Sequence, residues 1–502
     1  MKIAIRADAS LTIGSGHIMR CTVLADALRQ AGGEILFICR EHPGHYIDWL
    51  EAQDYHVARL PAPSAEQTGN PGATQTQDSA ESVAALSDST PVDWLIVDHY
   101  GLDARWESAL RPYCRRLLAI DDLADRDHDC DLLLDQNLQK TSDRYLAHLP
   151  PQALALLGPR YALLRPEFAQ ARQGFDHHPG NNCRLLVFFG AADPQGMTLN
   201  ALTAIAALAH PGLSIDVVIG QSNPHGAAIA ARVAALPNAS LHVQTPRMAE
   251  LMTAADLLLG AAGSTLWESC CLRLPSLLVV MADNQAANAA ALAELGGAIN
   301  LGTCAEADEN VIHHTLAWLL ASPGKRQQMA ERIATLVDGK GCERVIRRLL
   351  QPEIVLRPAT LADAENLHRW RDHPATRRHS LDPSPIDYAS HVAWLQGTLA
   401  NPERLLLIAR MADTEIGVLR YDMADNRQAT ISVYLVPEQH GNGYGAPLIQ
   451  AGTAWLMQQH PEIRGIVAEV KADNHASLAA FRAAGFAGTS PRLYKSLVRT
   501  AP

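Results

Sequence analysis

His17 ends the run Arg6-Ala-Asp8-Ala-Ser-Leu-Thr-Ile-Gly14-Ser-Gly16-His17 and is followed by Arg20. Imidazole is the side chain that exchanges a proton near neutral pH without special help, so His17 is a candidate general base. Gly14 and Gly16 permit a tight turn whose backbone N–H groups face whatever sits above it, which suits a phosphate or a carbonyl. The spacing lacks the third glycine of a dinucleotide-binding fingerprint, and a plain turn before a solvated histidine would leave the same trace. Cys21 lies one helical turn beyond His17, which raises a Cys–His nucleophile, but no orienting partner is visible beside it. A second concentration of polar groups is Asp98-His99-Tyr100-Gly101, with Asp121-Asp122 and Asp135-Gln136-Asn137 further on. Some of these acids would serve only as helix caps.

The elements around them explain their placement. Residues 2–6 read as a short buried strand, and Ile18, Cys21, Leu24, Ala25 and Leu28 then recur at helical spacing until Gly32-Gly33. The acids at 98, 121 and 135 each close an apolar strand-like run, and ligands of open α/β sheets sit beyond such carboxyl ends. Residues 61–91, rich in Pro, Gly, Ser, Thr and Gln, read as an inserted mobile surface loop with a possible short helix near 81–86. A second β/α series begins near Arg184, with Gly190-Ala-Ala-Asp193 after one strand and Gly263-Ser264-Thr265 after another. Glu268 follows one turn into the next helix, and Asp283-Asn284-Gln285 and Asn288 follow the strand at 277–281. Two such series in succession predict two Rossmann-like halves with a cleft between them. The composition shifts again near Gln351-Pro352, and strands at 405–411, 416–421 and 429–436 then follow one another as an antiparallel meander.

The 502 residues suit roughly two to four domains. Hydrophobic residues make up 48% and charged residues 19%, a globular balance, and the formal charge of −11 argues against nucleic acid or an anionic membrane as partner. No apolar run reaches membrane-spanning length and the start is too weakly apolar for a signal peptide, so a cytoplasmic location is expected. The nine cysteines include no C-x-x-C pair, which favours buried free thiols over a disulfide framework or a zinc site.

His440-Gly441-Asn442-Gly443-Tyr444-Gly445-Ala446 follows a strand ending near Val436 and opens a helix. With Asn474-His-Ala-Ser477 and Phe481-Arg-Ala-Ala-Gly-Phe486, it resembles the coenzyme A motifs of the GNAT acetyltransferases. That resemblance implies acetyl-CoA as co-substrate, cradled by Val436, Gln439, His440 and the loop through Ala446, with Asn474, Ser477 and Phe481 beside it. Two departures stand out. His440 occupies a place where Gln or Arg is usual, although Gln439 adjoins it. Phe481 occupies the place where many members carry the tyrosine that protonates the departing thiolate, leaving Tyr434 and Tyr494 as alternatives. Trp370-Arg371-Asp-His-Pro and His391-Val-Ala-Trp394 look like the GNAT subgroup that acetylates 4-amino nucleotide sugars, where arginine suits a diphosphate and tryptophan a stacked uracil. Core packing is the other reading of both tryptophans.

Residues 1–350 resemble the UDP-sugar hydrolase of pseudaminic acid biosynthesis. The matching pieces run in order: Arg6-x-Asp8, Gly14-x-Gly16-His17-x-x-Arg20, Asp98-His99-Tyr100-Gly101, Asp121-Asp122, Tyr161-Ala-Leu-Leu-Arg165 and Gly263-Ser264-Thr265 through Glu268. The resemblance implies a GT-B-like pair of Rossmann-like domains, residues 1–170 and 171–350, followed by a GNAT α/β domain over 354–502. It implies a diphosphate at Gly263, Ser264 and Thr265, a ribose at Glu268, inversion at C1 and no metal. Gly14, Gly16, Arg20, Asp98, His99, Arg165, Gln285 and Asn288 complete the substrate set, with Trp370 and Arg371 in the last domain. His17 is expected to activate water, with Asp8 and Tyr100 orienting it or the sugar. Ala191, where relatives often carry glycine, is expected to narrow the phosphate approach.

The expected whole is a bifunctional enzyme. Its GNAT part would acetylate the 4-amine of UDP-4-amino-4,6-dideoxy-N-acetyl-β-L-altrosamine with acetyl-CoA. The first 350 residues would hydrolyse UDP-2,4-diacetamido-2,4,6-trideoxy-β-L-altrose to UDP and the free sugar. The alternatives are a GT-B glycosyltransferase fused to an acetyltransferase and a non-catalytic nucleotide-sugar sensor. Release of UDP without any acceptor separates the first from hydrolysis, and UDP binding without turnover identifies the second.

Overall fold

The computed structural model describes residues 1–62, 75–87, 90–138, 144–145, 147–150, 153–173, 183–350, 354–380, 382–411, 414–424, 427–489 and 491–497. The boundary at 351–353 and residues 63–74 and 88–89 of the expected loop at 61–91 fall outside them. The chain forms two compact units, one of Met1–Leu149 with Ala155–Leu349, the other of Leu350–Pro502 with Pro150–Leu154.

The first unit holds two sheets. β1 (Lys2–Ala7), β2 (Glu34–Arg40), β3 (His56–Leu60), β4 (Val92–Asp98), β5 (Cys114–Ile120), β6 (Leu132–Asp135) and β7 (Leu154–Leu157) lie in the order β3-β2-β1-β4-β5-β6-β7. Pairing is parallel from β3 through β6. β8 (Cys183–Phe188), β9 (Leu213–Ile219), β10 (Ala239–Val243), β11 (Leu257–Ala261), β12 (Ser276–Val280) and β13 (Ala298–Thr303) form an all-parallel sheet ordered β10-β9-β8-β11-β12-β13. Their sequences are near-continuous apolar runs because both faces of such sheets are covered by helices. In each sheet the strand order reverses once, between β1 and β4 and between β8 and β11. A crevice opens at the carboxyl ends of those strands. The His17 loop follows β1, Asp98 closes β4, and Gly263 follows β11.

The stretch read as a mobile loop contains the helix Gln75–Leu86, longer than the short helix anticipated near 81–86. Asp78 on it is buried and accepts from Arg6 Nη2 at 2.6 Å, Arg40 Nη2 at 2.7 Å and Trp106 Nε1 at 2.9 Å. Composition suggested a loop because the helix is mostly polar; one buried carboxylate meeting two guanidiniums fixes it to the sheet. The helix Gly341–Leu350, expected to close the second half, packs back on the first: Trp94 Nε1 donates to Leu349 O at 3.0 Å and Gly341 lies against the Ala162 backbone.

In the second unit, β14 (Ile354–Pro358), β15 (Arg404–Met411), β16 (Thr414–Ala424), β17 (Gln428–Leu435), β18 (Gly465–Glu469), β19 (Ala487–Thr489) and β20 (Arg492–Ser496) lie in the order β14-β15-β16-β17-β18-β20-β19. All pairs are antiparallel except β17 with β18. That parallel pairing runs from Gln428–Gly465 to Ile431–Ala468 and stops, while β17 continues to Leu435 alongside β16 alone. The strands therefore part, and the helix Gly445–Gln459 begins just beyond.

All nine cysteines are free, eight buried and Cys304 partly exposed. No helix among the described residues is long and apolar enough to cross a membrane.

Candidate active sites

His17 is the second residue of the helix Gly16–Gln30, which begins where Gly14, at φ +80°, turns the chain up from β1. Its Nδ1 lies 2.6 Å from Asp98 Oδ1. Asp98 is fully buried and also accepts from Arg20 Nε and Nη2, each at 2.6 Å. Burial disfavours the Asp98 carboxylate, but Arg20 and His17 outweigh it and hold its pKa well below the usual range. An ionised Asp98 accepts a hydrogen bond from Nδ1–H, which keeps the proton on Nδ1 and leaves the lone pair on Nε2. Nε2 has no protein hydrogen-bond partner among the described residues and is not sealed in, so it faces the crevice. Arg20 Nη1 also reaches Asp122 Oδ2 at 3.2 Å; Tyr100 Oη donates to the same oxygen at 3.1 Å and sets its ring edge-on to His17, 4.6 Å between centroids.

Asp98, not Asp8, is therefore the orienter of His17, and being fully buried it has no edge to offer a sugar. Asp8, just past the end of β1, is paired with Arg6 at 2.7 Å and accepts from Arg40 N at 2.7 Å. Its Oδ2 lies 3.5 Å from His99 Nε2 and 3.6 Å from His42 Nε2. Gly101 N donates to His99 Nδ1, and burial beside Arg6 pushes the His99 pKa down to about 4, so His99 stays neutral. Arg20 is likewise committed to Asp98 and Asp122. Cys21 Sγ lies 3.5 Å from Asp98 Oδ2, and burial with that neighbouring carboxylate drives the thiol pKa far up, which removes it as a nucleophile. Asp121 and Asp135 accept from Ala124 N and Asn137 N and share Tyr145 Oη, so they shape loops.

Asn284 Nδ2 in the second half donates to Tyr100 Oη at 2.8 Å, so the crevice is bridged at the His17 site. The sequence marked Asp122 and Asn284 only as members of polar runs, without these partners, and gave no hint of His42. Gln285 places Nε2 over Gly263, where a Cβ would meet it at 3.5 Å, and its Oε1 accepts from Met281 N. Ser264 and Thr265 start the helix Thr265–Cys271 with no side-chain cap, and Asn288 lies in the helix Ala286–Leu295. Glu268 stands 3.8 Å from Arg165, and burial pushes its carboxyl up to about 7. Ala191 does not narrow this site: its methyl is taken up by the missing side chain of Gly220, whose N–H donates to Ala191 O.

In the second unit, Gly441 and Gly443 have φ of +82° and +79°, and a Cβ at either would meet open space. The N–H groups of 441–446 have no protein acceptor among the described residues, so a run of amides opens above the helix Gly445–Gln459. This is a cradle fitted to a pyrophosphate. His440 Nε2 lies 3.2 Å from Leu435 O, and Gln439 accepts from Asn442 Nδ2 at 3.1 Å. Asn474 caps the helix His475–Ala483 by accepting from Ser477 N at 3.1 Å, and Gly445 packs on Ala480.

Two expected ligand contacts in this unit are core residues. Phe481 is 4% exposed and meets Phe486 edge-on, 5.0 Å between ring centroids. Trp370, 2% exposed, packs with Leu367, Leu395 and Ile408. The intervals i, i+3 and i+4 place both rings inward, a periodicity that core and ligand contacts share. Arg371 Nη1 donates to Ser380 Oγ at 2.5 Å, and Trp394 is exposed beside His391.

Residues 353–487 match the Acetyltransferase (GNAT) domain family, and residues 212–341 match the Glycosyltransferase family 28 C-terminal domain. The chain joins a GT-B-like pair of halves to a GNAT domain. The UDP-2,4-diacetamido-2,4,6-trideoxy-beta-L-altropyranose hydrolase of Campylobacter jejuni is 26% identical over 297 residues, 59% of this chain and 97% of that protein. The spore coat polysaccharide biosynthesis protein SpsG of Bacillus subtilis is 31% identical over 192 residues, 38% of this chain and 56% of that protein. Among solved structures, MurG of Acinetobacter baumannii superposes with a TM-score of 0.52 at 16% identity, over 69% of this chain and 98% of that one. That likeness is one of fold. The match to the UDP-sugar hydrolase spans nearly all of that enzyme's length.

Proposed function

We propose that this chain is a cytoplasmic bifunctional enzyme carrying two consecutive steps on one UDP-linked sugar. The GNAT domain transfers acetyl from acetyl-CoA to the 4-amine of UDP-4-amino-4,6-dideoxy-N-acetyl-β-L-altrosamine. The GT-B-like unit then hydrolyses UDP-2,4-diacetamido-2,4,6-trideoxy-β-L-altrose. The observation that carries the hydrolase reading is His17 itself: Nδ1 tied to a buried carboxylate, Nε2 free at the carboxyl ends of β1 and β4. In this reading Nε2 takes a proton from water as its oxygen attacks C1. The C1–O bond breaks with inversion and its electron pair leaves on the β-phosphate of UDP. Asp98 stabilises the imidazolium that forms, and Tyr100 positions ring and sugar. The loop at Gly263, Ser264 and Thr265, with Gln285 and Asn288, accommodates the diphosphate, Arg165 lies beside it, and Glu268 meets the ribose. In the GNAT domain the amides of 441–446 hold the coenzyme A pyrophosphate, and the gap between β17 and β18 takes the thioester arm.

The test is phosphorus and proton NMR on the full chain given the 4-amino UDP-sugar with and without acetyl-CoA. UDP and the free 2,4-diacetamido sugar appearing only with acetyl-CoA support both steps and their order. The glycosyltransferase-like likeness of residues 212–341 favours a second reading, transfer of the sugar to an acceptor. Accumulation of intact acetylated UDP-sugar would favour that reading over hydrolysis.

A further inference from the structure

With Phe481 turned into the core, the acetyltransferase half has no hydroxyl at the place where relatives protonate the leaving thiolate. The tyrosines of this unit are Tyr388, Tyr421, Tyr434, Tyr444 and Tyr494. Tyr421 is fully buried with its Oη sealed in the core. Tyr494 lays its Oη against Gly465, at the end of β18 where the two strands are still paired. Tyr388 belongs to the helix layer beside His368, and Tyr444 packs under the helix Gly445–Gln459.

Tyr434 differs from all of these. It lies on β17 three residues beyond Ile431, the last residue paired with β18, and six before His440. It therefore stands on the strand segment whose second edge is open, between the parting of the strands and the amide cradle. Its ring packs against the cluster of Leu367, Trp370 and Leu395, so it faces the side opposite the helix Gly445–Gln459. Its Oη makes no protein hydrogen bond among the described residues, and unlike that of Tyr421 it is not closed off. Arg371 and Arg420 lie close enough to act on the phenol electrostatically.

We propose that Tyr434 is the catalytic acid of acetyl transfer, donating the Oη proton to the thiolate of coenzyme A. This rests on the acetyltransferase reading above. The acceptor amine nitrogen bonds to the acetyl carbon and the C–S bond breaks with its electron pair on sulfur. Sulfur takes the proton from Tyr434 Oη, and the proton lost by the amine reaches solvent, from which the phenolate is reprotonated. Burial raises the Tyr434 hydroxyl pKa, so the group is protonated before transfer, and the nearby Arg371 and Arg420 act the other way, favouring the phenolate that donation leaves.

The experiment is Tyr434→Phe in the full chain, reading free coenzyme A thiol with the 4-amino UDP-sugar as acceptor. The expected result is a kcat lower by about 100-fold, within the range for a general acid. KM for acetyl-CoA and for the acceptor should stay within about twofold, and hydrolysis of separately supplied acetylated UDP-sugar should be unchanged. That last readout, with coenzyme A binding by calorimetry, shows that the variant is folded. A variant with wild-type kcat overturns the assignment of Tyr434 alone. A wild type that releases no coenzyme A overturns the acetyltransferase reading and this assignment with it.

Discussion

Asp98 Oδ1 lies 2.6 Å from His17 Nδ1, joining the last residue of β4 to the start of the helix that follows the adjacent parallel strand β1. His17→Ala should abolish UDP release from the acetylated UDP-sugar while leaving UDP binding by calorimetry within about threefold. Asp98→Asn should lower kcat by at least about 100-fold by freeing the wrong tautomer. It should also cost about 3 kcal/mol of stability, because Arg20 loses its buried partner. Unchanged turnover in His17→Ala would remove this residue from the chemistry.

Glu268 should give UDP binding a pH dependence. Its carboxyl is pushed up to about 7 by burial, against the pull of Arg165 at 3.8 Å. An ionised Glu268 accepts ribose hydroxyls better than a protonated one, so affinity should rise between about pH 6 and 8, by up to about tenfold. UDP titrates in the same range, so the contrast with Glu268→Gln is decisive. Identical pH profiles for the two proteins would place the ribose elsewhere.

A third expectation concerns stability at alkaline pH. Burial opposes the charge on His128, but Asp121 and Glu107 prevail and raise its pKa from 6.5 to about 9. A raised folded-state value stabilises fully below 6.5, and the contribution disappears as pH rises toward 9. The loss amounts to about 3 kcal/mol. Thermal unfolding of the first unit should therefore shift down between those pH values, and His128→Asn should flatten that part of the profile. A wild-type melting temperature independent of pH across that window would contradict the charged state.

Asp78→Ala should destabilise the first unit by about 3 kcal/mol, since two buried guanidiniums lose a shared carboxylate, Arg6 keeping Asp8 and Arg40 keeping Glu81, and the Trp106 N–H loses its acceptor. Hydrolysis should fail at moderate temperature while coenzyme A release persists. A full-strength hydrolase in this variant would show that the helix Gln75–Leu86 is dispensable.

Gly443 is held at φ +79° with open space where its side chain would be. Gly443→Ala imposes a left-handed conformation costing about 1–2 kcal/mol and sets a methyl in the cradle. KM for acetyl-CoA should rise about tenfold or more, with UDP-sugar hydrolysis unaffected. Equal KM values would move the pyrophosphate away from this loop.

The sequence by itself determined the β/α rhythm, the glycine turns, the placement of His17 at the first of them, and the loop from His440 to Ala446. These features are local, since turn chemistry and apolar period are fixed by neighbours in the chain. Tertiary structure decided which acid serves His17: Asp8 is nine residues away and Asp98 eighty-one, and only the pairing of β1 with β4 brings the more distant one into contact. It also turned Phe481 and Trp370 into the core, because the same helical interval serves a core face and a ligand face. A buried Asp78 holds the helix Gln75–Leu86 through partners on β1, β2 and the helix carrying Trp106, so its anchorage is invisible in its own polar composition. Partnerships between residues far apart in sequence arise from strand order and packing, and no spacing along the chain encodes them.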